Sequence, residues 1–332
     1  MTSLSILIPV YDDICEALEL FERTKAQLVS IEKMECILIA LDPACAGDPN
    51  RSRLPQEVTF LSSNGYRGLP KAKNLALQAS TGELILFLFP GILPGPNAVE
   101  RLVSQMCRNP GWGGVSGRWN SALGQVEKGY NLRRYPTFAP LLYDLLFINK
   151  IFPSNRITRR YKMHDFDHNT LCAAEHVNDC AFIARRRLLQ ELGGFNESYE
   201  FGWFDQAEIC LKMNRSGHPI YYDPEAVFTS TGREPLVNRM LAHHYTAFYE
   251  DESRFVKKEF GTGRWRLFRI ALGIGMAIRL AFTYILRRNA RSWILRRYRS
   301  YVDDDYIHDM RGAYRSMLKA LITSKYRKAG AP

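Results

Sequence analysis

The chain has 332 residues, 46% hydrophobic and 24% charged, enough apolar material for one core of roughly 200–250 residues plus an appendage, which excludes a disordered chain. Its net charge of +11 is concentrated: ten arginines between Arg264 and Arg299, with no acid among them, carry +10 and leave +1 for the rest. So local a block, with no helix-turn-helix, zinc or single-strand RNA signature, argues against nucleic acid as a partner.

The seven cysteines are scattered, without C-x-x-C spacing, which speaks against a zinc site or disulfide framework and fits a reducing cytosol. The N-terminus, MTSLSILIPVYDD, enters a strand-like run directly, with no basic stretch or small-residue cleavage site, so no secretory signal is expected.

In chain order, SLSILIPVY (3–11) reads as a buried strand and ICEALELFERTKAQLVSI (14–31) as a helix with apolar residues at helical spacing. Strands follow at ECILIALD (35–42) and EVTFLSS (57–63), then a helix over PKAKNLALQAS (70–80) and a strand at ELILFLF (83–89). Strands alternating with helices predict right-handed crossovers and an α/β fold with a mostly parallel sheet. Ligands of such sheets bind beyond the carboxyl ends of the strands, which points to Pro9 to Asp13, Asp42 to Asp48, Asn64 to Asn74 and Phe89 to Pro94.

Two readings stand at several of these positions. Asp42 follows a strand and is placed to hydrogen-bond a nucleotide base, or it opens the turn before Pro43. Arg67, Lys71 and Lys73 lie on a loop and the first turn of a helix, where they would bring cations and free N–H groups to a diphosphate, or form a solvated basic face. Trp112, Trp119, Trp203 and Phe204 suit either a sugar-stacking surface or the core. His164, Asp165, Asp167 and His168 contain ligand-type side chains at a spacing with little specificity for metal. FAPLLYDLLFINKIF (138–152) has a broad apolar face at helical spacing, and His243-His244 belong to a further expected helix.

Five segments in order, SILIPVYDD, ILIALDPACAGD, NGYRGLPKAKNLALQASTGELILFL, HVNDCAFIARRRLLQELGGFNESY and YYDPEAVFTSTG, together resemble family 2 glycosyltransferases with the GT-A fold, in particular the bacterial rhamnosyltransferase-like subgroup. The match spans about residues 4 to 232 and includes the G-x-x-x-A-R-N-x-x-x-x-x-A-x-G run at Gly68, Ala72, Lys73, Asn74, Ala79 and Gly82. The resemblance implies a nucleotide-diphospho-sugar donor contacted by Pro9, Tyr11, Asp13, Asp42, Arg67, Gly68, Lys71, Lys73, Asn74, Phe89 and Gly91. It also implies an acceptor side at Asp179, Trp203 and Gln206.

Departures fall at the chemical positions. Members of the subgroup end the strand after this helix in Leu-Asn-Pro-Asp, whose last acid binds Mg²⁺ or Mn²⁺. Here the sequence is Leu88-Phe89-Pro90-Gly91, without that oxygen ligand. Where relatives carry Glu-Asp-x-Asp, this chain has Asp205-Gln206-Ala207-Glu208, so an amide occupies the position of the general base and Asp205 or Glu208 would have to take its role. A histidine that often follows the Pro-x-Ala strand is replaced by Thr229, Ser230 and Thr231. Two expectations result: an inverting transferase that dispenses with the metal, or a noncatalytic binding or scaffold subunit beside an active transferase.

The last quarter reads as a helical extension, giving domains 1–235 and 236–332. Within RWRLFRIALGIGMAIRLAFTYILRRNARSWILRRYRS, the apolar stretch Leu267 to Leu286 contains Arg269 and Arg279, costly at a bilayer centre, so an interfacial helix with snorkelling arginines is expected rather than a spanning one. The alternative is a helix packed on the catalytic domain. The first places the protein on the anionic, cytoplasmic face of the cell membrane, with a lipid-linked or polysaccharide acceptor, alone, as a homodimer or with a partner glycosyltransferase.

Overall fold

The structure, a computed structural model, describes residues 2–11, 13–41, 45, 51, 54–62, 68–231, 242–288 and 304–322, with backbone alone at 242–244, 285–288, 304–307 and 322. The expected Asp42 and Arg67 contacts and the His243-His244 side chains lie outside the described residues.

Strands are β1 (Ser3–Val10), β2 (Lys33–Ala40), β3 (Val58–Ser62), β4 (Leu84–Leu88), β5 (Ile92–Pro94), β6 (Gly114–Asn120), β7 (Leu132–Arg133), β8 (Cys172–Ala174), β9 (His176–Val177), β10 (Ala181–Arg185) and β11 (Ile220–Ser230). Helices are α1 (Ile14–Lys25), α2 (Leu69–Ala79), α3 (Ala98–Arg108), α4 (Phe138–Leu145), α5 (Ile148–Ile151), α6 (Arg156–Tyr161), α7 (Arg186–Glu191) and α8 (Phe204–Arg215). The helical run Ala242–Arg288 and the helix Asp304–Ile322 complete the described chain. The chain divides into two compact units, Met1–Tyr135 with Arg159–Pro235, and Pro136–Thr158 with Leu236–Pro332.

The first unit is built on a nine-stranded sheet in the order β3-β2-β1-β4-β10-β6-β11-β5, with β8 added to β11. β3, β2, β1 and β4 are mutually parallel, as the alternating pattern predicts, and each of β1, β2 and β4 is a near-continuous apolar run because both sheet faces are covered. Phe21 of α1 and Leu102 of α3 belong to the core that covers it. At the amino edge, Ser5 Oγ donates to Glu35 at 2.5 Å and accepts from the Gly82 N–H at 2.8 Å. A Cβ on Gly82 would stand 2.5 Å from the Ser5 nitrogen, so only glycine admits β4 this close to β1.

β10 enters antiparallel between β4 and β6, with Ala181 opposite Leu88. This reversal places the residues before β10, Asp179 and Cys180, at the edge where β4 ends in Phe89-Pro90-Gly91. β11, parallel to β6, brings Thr231 to the same turn: its N–H donates to the Gly91 carbonyl at 2.8 Å and its hydroxyl at 3.2 Å.

Within the second unit the apolar run 138–152 is two helices rather than one, broken at Phe147, whose φ of 61° is left-handed. The carbonyls freed at the end of α4 accept from Arg279: its guanidinium lies 2.5 Å from Leu145 O, 3.2 Å from Asp144 O and 3.1 Å from Gly275 O, and 4.2 Å from the Phe147 ring centroid. Arg279 is therefore 8% exposed and structural, which corrects the expectation that it snorkels to headgroups. Arg269 also turns inward, over the Trp265 ring and to the Leu321 carbonyl. Phe268, Leu272 and Met276 are buried, while Leu267, Ile270, Ile274, Ile278 and Phe282, spaced by three and four residues, form an exposed apolar stripe.

Candidate active site

At the carboxyl edge of the sheet, Lys73 of α2 projects its ammonium between two carboxylates. It pairs with Asp179 ahead of β10 and with Asp205 in the first turn of α8, the latter at 3.0 Å, and stands 4.6 Å from the Phe195 ring centroid. Lys73 is 4% exposed, Asp205 0% and Asp179 15%, so three charged groups share a site largely withdrawn from water. Two acids share one cation. The pair of carboxylates holds Lys73 charged, against its burial, and raises its pKa. Burial, with Asp179 beside it, pushes the Asp205 pKa upward against the pull of Lys73, so a proton is retained more readily on Asp205 than on an ordinary aspartate.

Unmet hydrogen bonds gather around this cluster. Among the described residues, Asp205 Oδ1, Gln206 Oε1 and the Tyr11 hydroxyl are buried without a partner. Burial first, then Asp179 and Cys180, raises the Tyr11 pKa well above its ordinary value, keeping the phenol protonated as a donor. Gln206, 2% exposed, turns its Nε2 to Cys210 Sγ at 3.7 Å. Burial raises the Cys210 thiol to about 12, which makes it inert.

The structure thus brings Tyr11, Lys73, Asp179, Asp205 and Gln206 together. The diphosphate role expected of Lys73 meets a physical obstacle, since its charge is already matched by two acids. Asp205, one of the two candidate bases with Glu208, has no exposed side-chain surface and pairs with Lys73 at 3.0 Å. Glu208, 7% exposed on its side chain, is held by Asn196 Nδ2 at 3.0 Å and Lys212 at 3.3 Å.

Other expected donor contacts have structural work. Asn74 closes the 193–195 turn: its Nδ2 donates to the Phe195 carbonyl and its Oδ1 accepts the Phe195 N–H, both at 2.8 Å. Asp13 caps α1 by accepting from the Cys15 N–H at 2.7 Å. Pro9 sits within β1 opposite Ile39, Phe89 is 3% exposed, and Gly68 caps α2 without a side chain. Lys71 lies on α2, half-buried. Trp112 stacks on Tyr221 at 3.7 Å and Phe204 is 1% exposed, both core roles.

A hard cation needs several converging oxygens. Phe89, Pro90 and Gly91 offer none from side chains, the nearby acids face Lys73, and among the described residues no three His, Cys, Asp or Glu side chains converge. Among the described residues, no set of side-chain oxygens at this edge fits a divalent metal. In the 164–168 segment, Asp165 pairs with Arg159 and Asp167 accepts from Asn169 and Thr170 instead.

Sequence reasoning missed a second group. β7 and β9 form a two-stranded ladder with Arg133 opposite His176, and the Arg133 guanidinium lies over Trp203 at 4.3 Å, Tyr130 at 5.3 Å and Tyr161 at 5.4 Å. Only Trp203 was singled out from this group. A two-residue strand leaves no periodic signal, so nothing in the sequence marks Arg133 above the neighbouring Arg134.

No protein-family model matches the chain, and no curated protein matches it. Solved structures do. GalNAc-T7 with UDP, GalNAc and Mn²⁺ is similar with a TM-score of 0.52 at 12% identity, over 76% of this chain and 51% of that one, so the chain spans about half the neighbour's length. The mannosyltransferase PcManGT from Pyrobaculum calidifontis, in complex with GDP-Man and Mn²⁺, is similar with a TM-score of 0.50 at 16% identity, over 97% of this chain and 87% of that one.

The fold is of the GT-A glycosyltransferase type. At such identities the likeness carries the fold alone, and the chemistry rests on the residues of the GT-A edge described above.

Proposed function

We propose that this chain is an inverting glycosyltransferase of the family 2 kind, moving a sugar from a nucleotide-diphospho-sugar to a membrane-linked glycan or lipid. The observation that carries the reading is the Lys73–Asp179–Asp205 cluster at the carboxyl edge, where buried charge and unpaired polar atoms coincide with the place a GT-A fold binds its donor. The nucleotides bound in the two similar structures, UDP alongside GalNAc in one and GDP-Man in the other, support the substrate class. A rhamnosyl donor follows only from the subgroup resemblance.

Of the three carboxylates, Asp179 keeps an exposed edge at 15%, against 0% for Asp205 and 7% for Glu208, and it takes the role of base. The acceptor oxygen attacks the anomeric carbon as its proton passes to Asp179. The bond to the diphosphate breaks and the nucleoside diphosphate leaves, inverting the centre. Membrane association on the cytoplasmic face is supported by the exposed stripe from Leu267 to Phe282, beside the exposed Arg264 and Arg266. By length and composition an 18-residue window within the helical run Tyr245–Tyr284 also meets the requirement for a membrane span, with a mean hydropathy of 1.4.

Nucleoside diphosphate release from a donor panel, with a membrane lipid extract as acceptor, tests the reading. Asp179→Asn is expected to lower turnover at least 100-fold while donor binding persists. A second reading, a noncatalytic donor-binding subunit, is favoured by the pairing of every acid in the cluster with a basic group. Donor binding without turnover, in wild type and variant alike, would select it.

A further inference from the structure

We infer that Arg133 binds the phosphate oxygens of the sugar-bearing ligand, supplying the positive charge that the LFPG turn and Lys73 do not. The inference rests on the transferase reading for the ligand's identity, but its geometry is independent of it.

Arg133 is half-buried and, among the described residues, makes no ion pair with a carboxylate, whereas the adjacent Arg134 pairs with Glu175 at 3.1 Å. Its guanidinium face rests on Trp203, and its Nε donates to the Gly129 carbonyl. Stacking occupies the face of a guanidinium and leaves its remaining edge N–H groups to fork an oxyanion, a geometry that a lysine ammonium lacks. A second cation lies in the neighbourhood: burial first, then Lys162 and Arg133, lower the His164 pKa.

Buried polar atoms beside Arg133 point separately to a ligand. His176, its partner across the ladder, is 2% exposed, yet among the described residues neither ring nitrogen has a hydrogen-bond partner, and its ring lies 5.2 Å from Trp203. Among the described residues Trp119 Nε1 is likewise buried without a partner, and the Trp119 ring lies 5.9 Å from Tyr130. Unmet bonds are costly in a native interior, and these cluster against an aromatic surface suited to a sugar ring.

Trp203 directly precedes α8, which carries Asp205, and His176 precedes Asp179 by three residues, so the anion subsite adjoins the charged cluster. The phosphate is either the donor's diphosphate or one carried by the acceptor lipid.

The test is calorimetric titration in EDTA of wild type, Arg133→Ala, Arg133→Lys and the rim control Arg134→Ala, with thermal midpoints recorded to separate misfolding from lost binding. The probes are UDP, GDP, a nucleotide-sugar panel, and farnesyl diphosphate in detergent. At least one probe is expected to bind wild type and Arg134→Ala alike. Arg133→Ala should weaken it tenfold or more, with Arg133→Lys in between. Loss with UDP or GDP assigns the donor's phosphates, and loss with farnesyl diphosphate alone assigns the acceptor's. If farnesyl diphosphate binds through Arg133 while no nucleotide or nucleotide sugar binds, the transferase reading fails and this inference stands. If Arg133→Ala binds every probe that wild type binds within twofold of wild type, the inference alone is overturned, and wild type that binds no probe overturns both.

Discussion

Lys73 and Arg279 are both nearly withdrawn from water, 4% and 8% exposed, one in each unit of the chain. Arg279 is satisfied by three backbone carbonyls and by the Phe147 and Tyr249 rings, neutral partners fixed by helices. Lys73 is satisfied by two carboxylates, which leaves one negative charge in excess and Asp205 Oδ1 without a partner. The first arrangement is closed and stabilises a fold. The second is an unfinished electrostatic site, and buried charge left unfinished at a strand edge marks where a ligand is expected.

Removing the cations separates the two arrangements most strongly. Lys73→Met leaves two acids around an apolar side chain and should destabilise the first unit by about 3–5 kcal/mol in urea denaturation. Arg279→Ala strands the carbonyls at the end of α4 without adding buried charge, so a smaller loss of about 2–4 kcal/mol is expected.

How far the sequence anticipates these sites follows from the same contrast. β1, β2, β3, β4 and α2 lie within two residues of the periodic runs that predict them, because continuous apolar strands and a Pro-initiated helix are local signals. α1 ends at Lys25 rather than at residue 31, since the Val29 and Ser30 N–H groups find Glu100 about seventy residues away. The break at Phe147 coincides with carbonyl acceptors for Arg279, another long-range contact. Alignment of motifs points to Asp205 and Gln206, which the structure places in the first turn of α8, but that Asp205 shares Lys73 with Asp179 depends on antiparallel β10 delivering Asp179 to this edge, which no spacing reveals.

Proton linkage offers a third and smaller contrast. Burial, with Arg133 nearby, lowers His176 from its ordinary value of 6.5 to about 3. The unfolded chain therefore takes up the proton first, so this contribution is complete above pH 6.5 and declines as pH falls toward 3, by about 2 kcal/mol at pH 5. Thermal melts of wild type and His176→Gln across this range should converge on acidification.

The smallest effect is expected at Asp205→Asn, which keeps the shape, removes the excess charge and leaves Lys73 with Asp179. A change of about 1 kcal/mol or less in denaturant midpoint analysis would fit the shared-cation account.

Titration calorimetry of the intact protein with a panel of nucleotide-diphospho-sugars and their free nucleoside diphosphates in EDTA, repeated for Asp179→Asn, tests the central claim most directly. The account predicts saturable binding of at least one donor without added metal, retained in the variant. No heat from any donor, with or without added Mn²⁺, would contradict a donor site at this edge.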